Sequence, residues 1–463
     1  RNRRIKWFYN EPEEDLYFPR AAWQNDKIIV FRLNRKQNQL DLVRFDTRYR
    51  KGEILLTERD SCWVDIHDNI RILKDDSFIW TSERSGYNHI YHYDRNGTII
   101  NQITHGDWEV RKIIDINEKT NIIYFTATKV SELENHLFSI SLYDGNLIQI
   151  TQESGWHSVS ISPTKNRIID SWSNIMTPTT HLVKNIDGKN ISAISKPDKS
   201  KFDKLYWTYP DFIKIQTSDG VFLNAIITLP WNFDKSKSYP ILVYTYGLSG
   251  SQTVTNRWSG RTYLWHQYMA KNGFIIFSID NRQTGGRGKA FKNLGYGDYG
   301  KYLIRDHIEG INYLGGLPYA DTSKVGIWGW SGGGYATALA LTKGAEYFDV
   351  GVAVASVTDW RLYDTAYTER YMGLLSENEA GYDSASVFSY IDRFKGNLLL
   401  IHGTGDDNVH FQHSIQLVNK FIKEGKLIDT MFYPSRNHGI YGGNASFHLR
   451  KLMTNYFLEY LSN

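Results

Sequence analysis

Cysteine is almost absent: Cys62 is the single one among 463 residues. No intrachain disulfide framework can support the fold, and the redox compartment stays open. A small residue inside a strand is the expected role of Cys62. Also missing is any run of about 18 apolar residues that would read as a membrane-spanning helix, and the charged and aromatic first residues are unlike a secretory signal. Charge of one sign is scarce. The formal net charge of +4 is too small for a nucleic-acid partner, and the cluster Arg1-Asn2-Arg3-Arg4 reads as a solvated end. Metal-ligand spacing is lacking too, so no metal or cofactor is expected. The chain opens on Arg1 rather than methionine, from which we expect a removed N-terminal part.

What is present is an ordinary globular composition, 41% hydrophobic and 22% charged, long enough for two or three domains. Residues 1–200 read as short strands with turn signals such as Arg95-Asn96-Gly97 and Asp144-Gly145-Asn146. The stretch NHIYHYDRNGTIINQITHGDWEV from Asn88 returns as NHLFSISLYDGNLIQITQESGWHSV from Asn135, a period of 47 residues. Repeats of that length with about four strands each are the signature of propeller blades. Four blades are too few to close a ring, so an open stack of sheets or a β-sandwich stands as the alternative.

From residue 201 the pattern changes. Apolar runs at 239–244, 274–279, 324–328, 350–355 and 397–401 alternate with helix-length segments. Strands buried on both faces read this way, which predicts a parallel sheet covered by helices over residues 201–463.

Between one such strand and an alanine-rich helix lies Gly329-Trp330-Ser331-Gly332-Gly333-Gly334. A phosphate loop would need a lysine after its glycines, and Tyr335 stands there instead. G-x-S-x-G in a strand-to-helix context is the nucleophile elbow, whose tight turn demands small neighbours. A serine nucleophile needs a base and a carboxylate, in the chain order Ser, Asp, His for this kind of domain. The next strand ends in HGTGDDNVH (402–410) and the following one leads to PSRNHG (434–439). His438 is the expected base, and His402 and His410 are demoted by chain order to local hydrogen bonding. Periodicity does not choose between Asp406 and Asp407.

These motifs, with DWRLYDTAYTERYMG from Asp359, HGTGDDNVHFQ from His402 and LNRKQN from Leu33, resemble the dipeptidyl peptidase IV branch of the prolyl oligopeptidase superfamily of serine peptidases. The resemblance covers essentially the whole chain. It implies an all-β partial propeller (1–200) followed by an α/β-hydrolase domain (201–463) with a mixed, mostly parallel sheet. It implies a triad of Ser331, Asp406 and His438, an oxyanion hole from Tyr246 and the N–H of Gly332, a proline pocket of Val357, Trp360, Tyr363, Tyr367 and Val409, and Asn408 as a substrate-carbonyl ligand. The implied activity is release of N-terminal X-Pro or X-Ala dipeptides. Tripeptidyl, acylaminoacyl or endo-acting peptidases and a non-catalytic interaction protein are the alternatives. Peptide substrates, a possible homodimer and a periplasmic, secreted or membrane-anchored location are further implications.

Three departures from the family pattern stand out. The paired glutamates that grip the substrate ammonium lack their motif here, since Glu13-Glu14-Asp15 has the wrong context. Gly332 replaces a bulkier residue and is expected to remove one wall of the site. Gln283 stands where a glycine is more usual.

Overall fold

A computed structural model describes residues 15–46, 52–198 and 207–462. The Arg1–Arg4 run, Glu13, Glu14 and the boundary expected at residue 200 lie outside them. Residues 15–198 form four successive antiparallel sheets, the first of five strands and the others of four. Among the described residues no helix interrupts them. In the last three sheets each strand pairs with the next in sequence, as short turns dictate.

The 47-residue repeat is a repeat of bonds as well as letters. Asn88 Nδ2 donates to the carbonyl of Val110 and Asn135 Nδ2 to that of His157, both at 2.6 Å. One period apart, the N–H groups of Ile90 and Leu137 donate to the hydroxyls of Thr104 and Thr151, both at 2.9 Å. Each pair ties a sheet to the segment beside it. Cys62, expected in a strand, lies in a half-buried bend between strands Gly52–Arg59 and Arg71–Ile72.

The second region is one eight-stranded sheet. Its strands are β1 (Asp211–Gln216), β2 (Phe222–Thr228), β3 (Tyr239–Tyr244), β4 (Ile275–Ile279), β5 (Ala320–Trp330), β6 (Val350–Val354), β7 (Asn397–Gly403) and β8 (Asp429–Tyr433). They lie in the order β1-β2-β4-β3-β5-β6-β7-β8. The β1–β2 and β2–β4 pairs are antiparallel and all others parallel, a mixed, mostly parallel sheet. The helices are α1 (Gly260–Lys271), α2 (Gly288–Lys292), α3 (Tyr299–Gly315), α4 (Gly332–Ala340), α5 (Thr365–Met372), α6 (Glu379–Ala385), α7 (Gln412–Lys423) and α8 (Ala445–Leu461).

The apolar runs are explained by two cores, one on each face of this sheet. Alternate residues of a strand point to opposite faces. Leu398 and Leu400 therefore join the cluster that holds α3, α4 and α7 residues, while Leu399 and Ile401 join the one under α1 and α8. Burying each such side chain stabilises the fold by roughly 1.5–3 kcal/mol. The loops that follow the carboxyl ends of β5, β7 and β8 carry the chemistry.

Candidate active site

Ser331 follows β5 directly and precedes the first residue of α4. Its backbone has φ 61° and ψ −118°, a region that costs a non-glycine residue of order 1–3 kcal/mol and persists only where the surroundings enforce it. The enforcement is visible. The N–H of Ser331 donates to Val354 of the neighbouring β6 at 2.8 Å, and its carbonyl accepts the N–H of Tyr335 at 3.0 Å. A Cβ on Gly329 would lie 2.6 Å from the Cα of Gly333, so only glycine tolerates the crossing of strand and helix. The N–H of Gly332 belongs to the first turn of α4, which helical bonding leaves free.

Tyr246 is half-buried just after β3. Burial raises its phenol above the ordinary value, and the nearby Ser331 hydroxyl opposes that rise. The hydroxyl therefore stays protonated and available as a donor.

Asp406 and His438 stand in the loops after β7 and β8. Nδ1 of His438 donates to Oδ2 of Asp406 at 2.7 Å. Oδ1 of Asp406 accepts the N–H groups of Asn408 and Val409, both at 3.0 Å. Burial alone would raise this carboxyl, but bonds from His402 and His438, the backbone donor and the His438 charge outweigh it and hold it far below the carboxylate range. Asp407 is exposed. The two loops are tied together: Gly405 N–H donates to Arg436 at 2.9 Å and Ser435 N–H to the Thr404 hydroxyl at 2.9 Å. Trp330, next to the serine, donates from Nε1 to the carbonyl of His438 at 2.9 Å, so the serine turn and the histidine loop are fixed to each other.

His402 was expected to be merely local. It is fully buried, and its Nε2 lies 3.2 Å from Oδ2 of Asp406 and 2.8 Å from the Val409 carbonyl. With two acceptors at Nε2, the proton belongs there. Nδ1 then accepts from the Ser414 hydroxyl at 2.6 Å. Asp406 thus receives two imidazole donors, and only the fold around Ser414 reveals the second. His410 is exposed.

The aromatic residues gather. Trp360 and Tyr367 stack at 5.9 Å between ring centroids, and Tyr363 meets both edge-on at 6.0 and 5.4 Å. Val357, Trp360 and Val409 are buried. The Tyr363 hydroxyl donates to Oδ1 of Asn408 at 2.6 Å, which links the aromatic group to the Asp406 loop. Residues from the 15–198 region hold this wall from behind. Gln37 Nε2 donates to the carbonyl of Ala366 at 2.6 Å, and Trp63 packs edge-on against Tyr371 at 4.9 Å.

Two departures from the family pattern are corrected or resolved. The wall expected to be missing at Gly332 is not open: a Cβ built there would lie 2.7 Å from Cγ of Leu248. Gln283 takes the glycine-like conformation with φ 83°, and its amide donates to the Gly247 carbonyl at 2.8 Å, supporting the turn after Tyr246.

Among the described residues one group has metal-like proximity: Glu153, His157 and Asp170, with ligand atoms within 4.8 Å of one another. A cation is already there. The buried Nζ of Lys184 lies 2.9 Å from Glu153 and 3.0 Å from Asp170, which makes the group a lysine salt bridge.

A serine on an enforced turn, whose neighbour Trp330 is bonded to the loop of a carboxylate-held imidazole, carries the residue types of a serine hydrolase. Residues 261–463 match the family model of the prolyl oligopeptidase family, and residues 1–179 match that of the dipeptidyl peptidase IV N-terminal region. A probable dipeptidyl peptidase 4 of Aspergillus flavus is 31% identical over 96% of this chain and 61% of its own length. A probable dipeptidyl-aminopeptidase B of Arthroderma gypseum is 33% identical over 91% and 48%. The crystal structure of Porphyromonas gingivalis dipeptidyl peptidase 4 superposes with a TM-score of 0.94 at 30% identity, covering 98% of this chain and 65% of that one. The chain therefore belongs to the prolyl oligopeptidase family of serine peptidases, and within it to the dipeptidyl peptidase IV branch. It spans about three fifths of the length of the Aspergillus relative.

Proposed function

We propose that this chain is the greater part of a serine exopeptidase that releases X-Pro or X-Ala dipeptides from peptide N-termini. Residues 1–200, whose described part is the four antiparallel sheets, are the closing blades of a larger propeller, and residues 201–463 are an α/β-hydrolase domain. The bond from His438 Nδ1 to Asp406 at 2.7 Å carries the reading, because it leaves Nε2 of His438 free to take a proton from Ser331.

In this mechanism Ser331 Oγ attacks the carbonyl carbon of the second residue while His438 accepts its proton. Asp406 holds the ring in the tautomer that can do so and stabilises the imidazolium. Tyr246 and the N–H of Gly332 receive the oxyanion, each lowering the barrier by about 3 kcal/mol. His438 then protonates the leaving amine, and water hydrolyses the acyl-enzyme by the same route. Val357, Trp360, Tyr363, Tyr367 and Val409 hold a pyrrolidine ring, which is rigid and loses little entropy on burial. Asn408 takes the carbonyl before that ring.

The relatives named dipeptidyl peptidases support the release of dipeptides from peptides; the preference for proline or alanine at the second position rests on the proposed pocket. A possible homodimer and a periplasmic, secreted or membrane-anchored location are further parts of the same proposal, implied by the family resemblance. Among the described residues no helix is long and apolar enough to cross a membrane.

The test compares hydrolysis of glycyl-prolyl anilide with that of its N-acetyl counterpart, with Ser331→Ala as blank. Preference for the free amine by about a hundredfold, roughly 2.7 kcal/mol, supports dipeptidyl activity. Equal cleavage of both substrates would replace it with an endo-acting or acyl-peptide enzyme.

A further inference from the structure

The residue after the serine contributes no side chain to the site, yet the space it would occupy is full. A Cβ on Gly332 would stand 2.7 Å from Cγ of Leu248, closer still to its Cδ1, and 3.4 Å from Cζ of Tyr246. Leu248 is 3% exposed and belongs to the same apolar cluster as Val357, Trp360 and Val409, against which Tyr246, Tyr363 and Tyr367 pack.

The backbone around Leu248 is pinned. Its carbonyl accepts the N–H and the hydroxyl of Ser251 at 3.1 and 2.5 Å. The carbonyl of Gly247 before it accepts the side-chain amides of Gln283 at 2.8 Å and Asn281 at 3.0 Å. The leucine reaches Gly332 from a loop that cannot slide away, so relief of any clash must come from its own rotamers inside a packed core, which costs energy.

We propose that Leu248 is a specificity-determining residue: it replaces the missing side chain at position 332 as the wall between the oxyanion tyrosine and the aromatic pocket, and sets the ring size that pocket accepts. The proposal rests on the proline-pocket reading above. It makes Leu248 and Gly332 a coupled pair. A larger residue at 332 collides unless Leu248 is cut back, and cutting back Leu248 alone leaves room beside the substrate ring that proline does not fill.

A double-mutant cycle on the full chain tests this, using Gly332→Ala, Leu248→Ala and both together. The readouts are the thermal midpoint and kcat/KM for glycyl-prolyl anilide and for the analogue with the six-membered pipecolyl ring. Gly332→Ala is expected to lower the midpoint and to cut kcat/KM for the prolyl substrate by about tenfold, with most of both losses recovered in the double variant. Leu248→Ala is expected to raise the pipecolyl-to-prolyl ratio by about tenfold, the low end of what one methylene produces in an apolar pocket.

Equal losses from Gly332→Ala in both backgrounds would overturn the coupling. A ring-size ratio unmoved by Leu248→Ala, with only the midpoint lowered, would reduce the leucine to plain core packing. If the unaltered chain cleaves neither anilide, the peptidase reading fails by itself. The midpoint cycle then still decides whether Leu248 occupies the place of a residue-332 side chain.

Discussion

Arg35 and Glu369 form a two-pronged ion pair across 334 residues of sequence, with Nη2 to Oε1 at 2.8 Å and Nε to Oε2 at 3.0 Å. Glu369 is on α5, two residues beyond Tyr367 of the aromatic pocket, and Arg35 is in the turn between strands Lys27–Asn34 and Gln39–Asp46 of the first sheet. Lys36 adds a pair with Glu377 at 2.7 Å, and Gln37 accepts from Arg370 at 2.8 Å. The motifs LNRKQN and YTERYMG, which carried much of the family resemblance, are therefore two halves of one contact. Its effect is to hold α5 and the pocket aromatics in place.

Arg35→Ala leaves the buried Glu369 carboxylate without its fork. Because Arg35 is itself largely exposed, solvent replaces part of the interaction. KM for a prolyl substrate is expected to rise about fivefold with kcat much less changed, the pattern of a loosened binding wall. Arg35→Lys recovers little, since an ammonium cannot make the paired bonds. Steady-state kinetics on the two variants check this, and an unchanged KM in Arg35→Ala would remove the contact from the account of the site.

His402 shares Oδ2 of Asp406 with His438, and its bond is one reason that carboxyl is held low. Stability and activity due to a depressed carboxyl are present above its unfolded value and lost as pH falls through the folded one. Without His402 the carboxylate becomes more basic. His402→Ala should therefore raise the pH at which Asp406 is protonated and activity is lost, moving the acid limb of kcat/KM upward, while His402→Gln, which keeps a donor, moves it less. The pH profiles of the two variants are the measurement. Coincident acid limbs in both variants and the unaltered chain would confine His402 to packing.

Asp280 is buried at the end of β4 and accepts the N–H groups of Thr253 at 2.8 Å and Val254 at 3.2 Å. Burial pushes its carboxyl up to about 7, against the pull of these two bonds and of Arg287. A raised carboxyl contributes stability that is full below its unfolded value near 4 and is lost as pH rises through 7. The loss across pH 5 to 8 is about 3 kcal/mol. Asp280→Asn removes this titration. Urea midpoints at pH 5 and pH 8 should therefore lie closer together in the variant than in the unaltered chain.

Lys184 is fully buried between Asp170 and Glu153, and Asp170 also bonds Nδ1 of His157 at 2.9 Å. Lys184→Met leaves Asp170 as a buried carboxylate with one partner fewer. Removing one member of a buried pair costs about 3–5 kcal/mol. Thermal unfolding should show a lower midpoint for this variant. A midpoint equal to that of the unaltered chain would show that water replaces the ammonium.

Much of the architecture was legible because it depends on neighbours in sequence. The apolar runs at 350–355 and 397–401 announce strands buried on both faces, and they are β6 and β7. The glycines around Ser331 announce a turn too tight for side chains, and its φ of 61° shows the strain. The 47-residue echo announced equivalent units, and Asn88 and Asn135 make equivalent bonds. Cys62 was misplaced because a small residue carries no signal that distinguishes a strand from a bend.

The sequence by itself determined the order of elements, the alternation of strand and helix, the serine turn and the loops that offer its carboxylate and base. All of these follow from local backbone preference and from which residues avoid water. The tertiary structure brings Asp406, the aspartate the resemblance implies, against His438, and it alone decided that His402 joins them, that Arg35 grips Glu369 and that Leu248 fills the place Gly332 leaves. Each of these depends on the distance between atoms that the chain brings together only by packing, and spacing along the sequence carries no information about such distances.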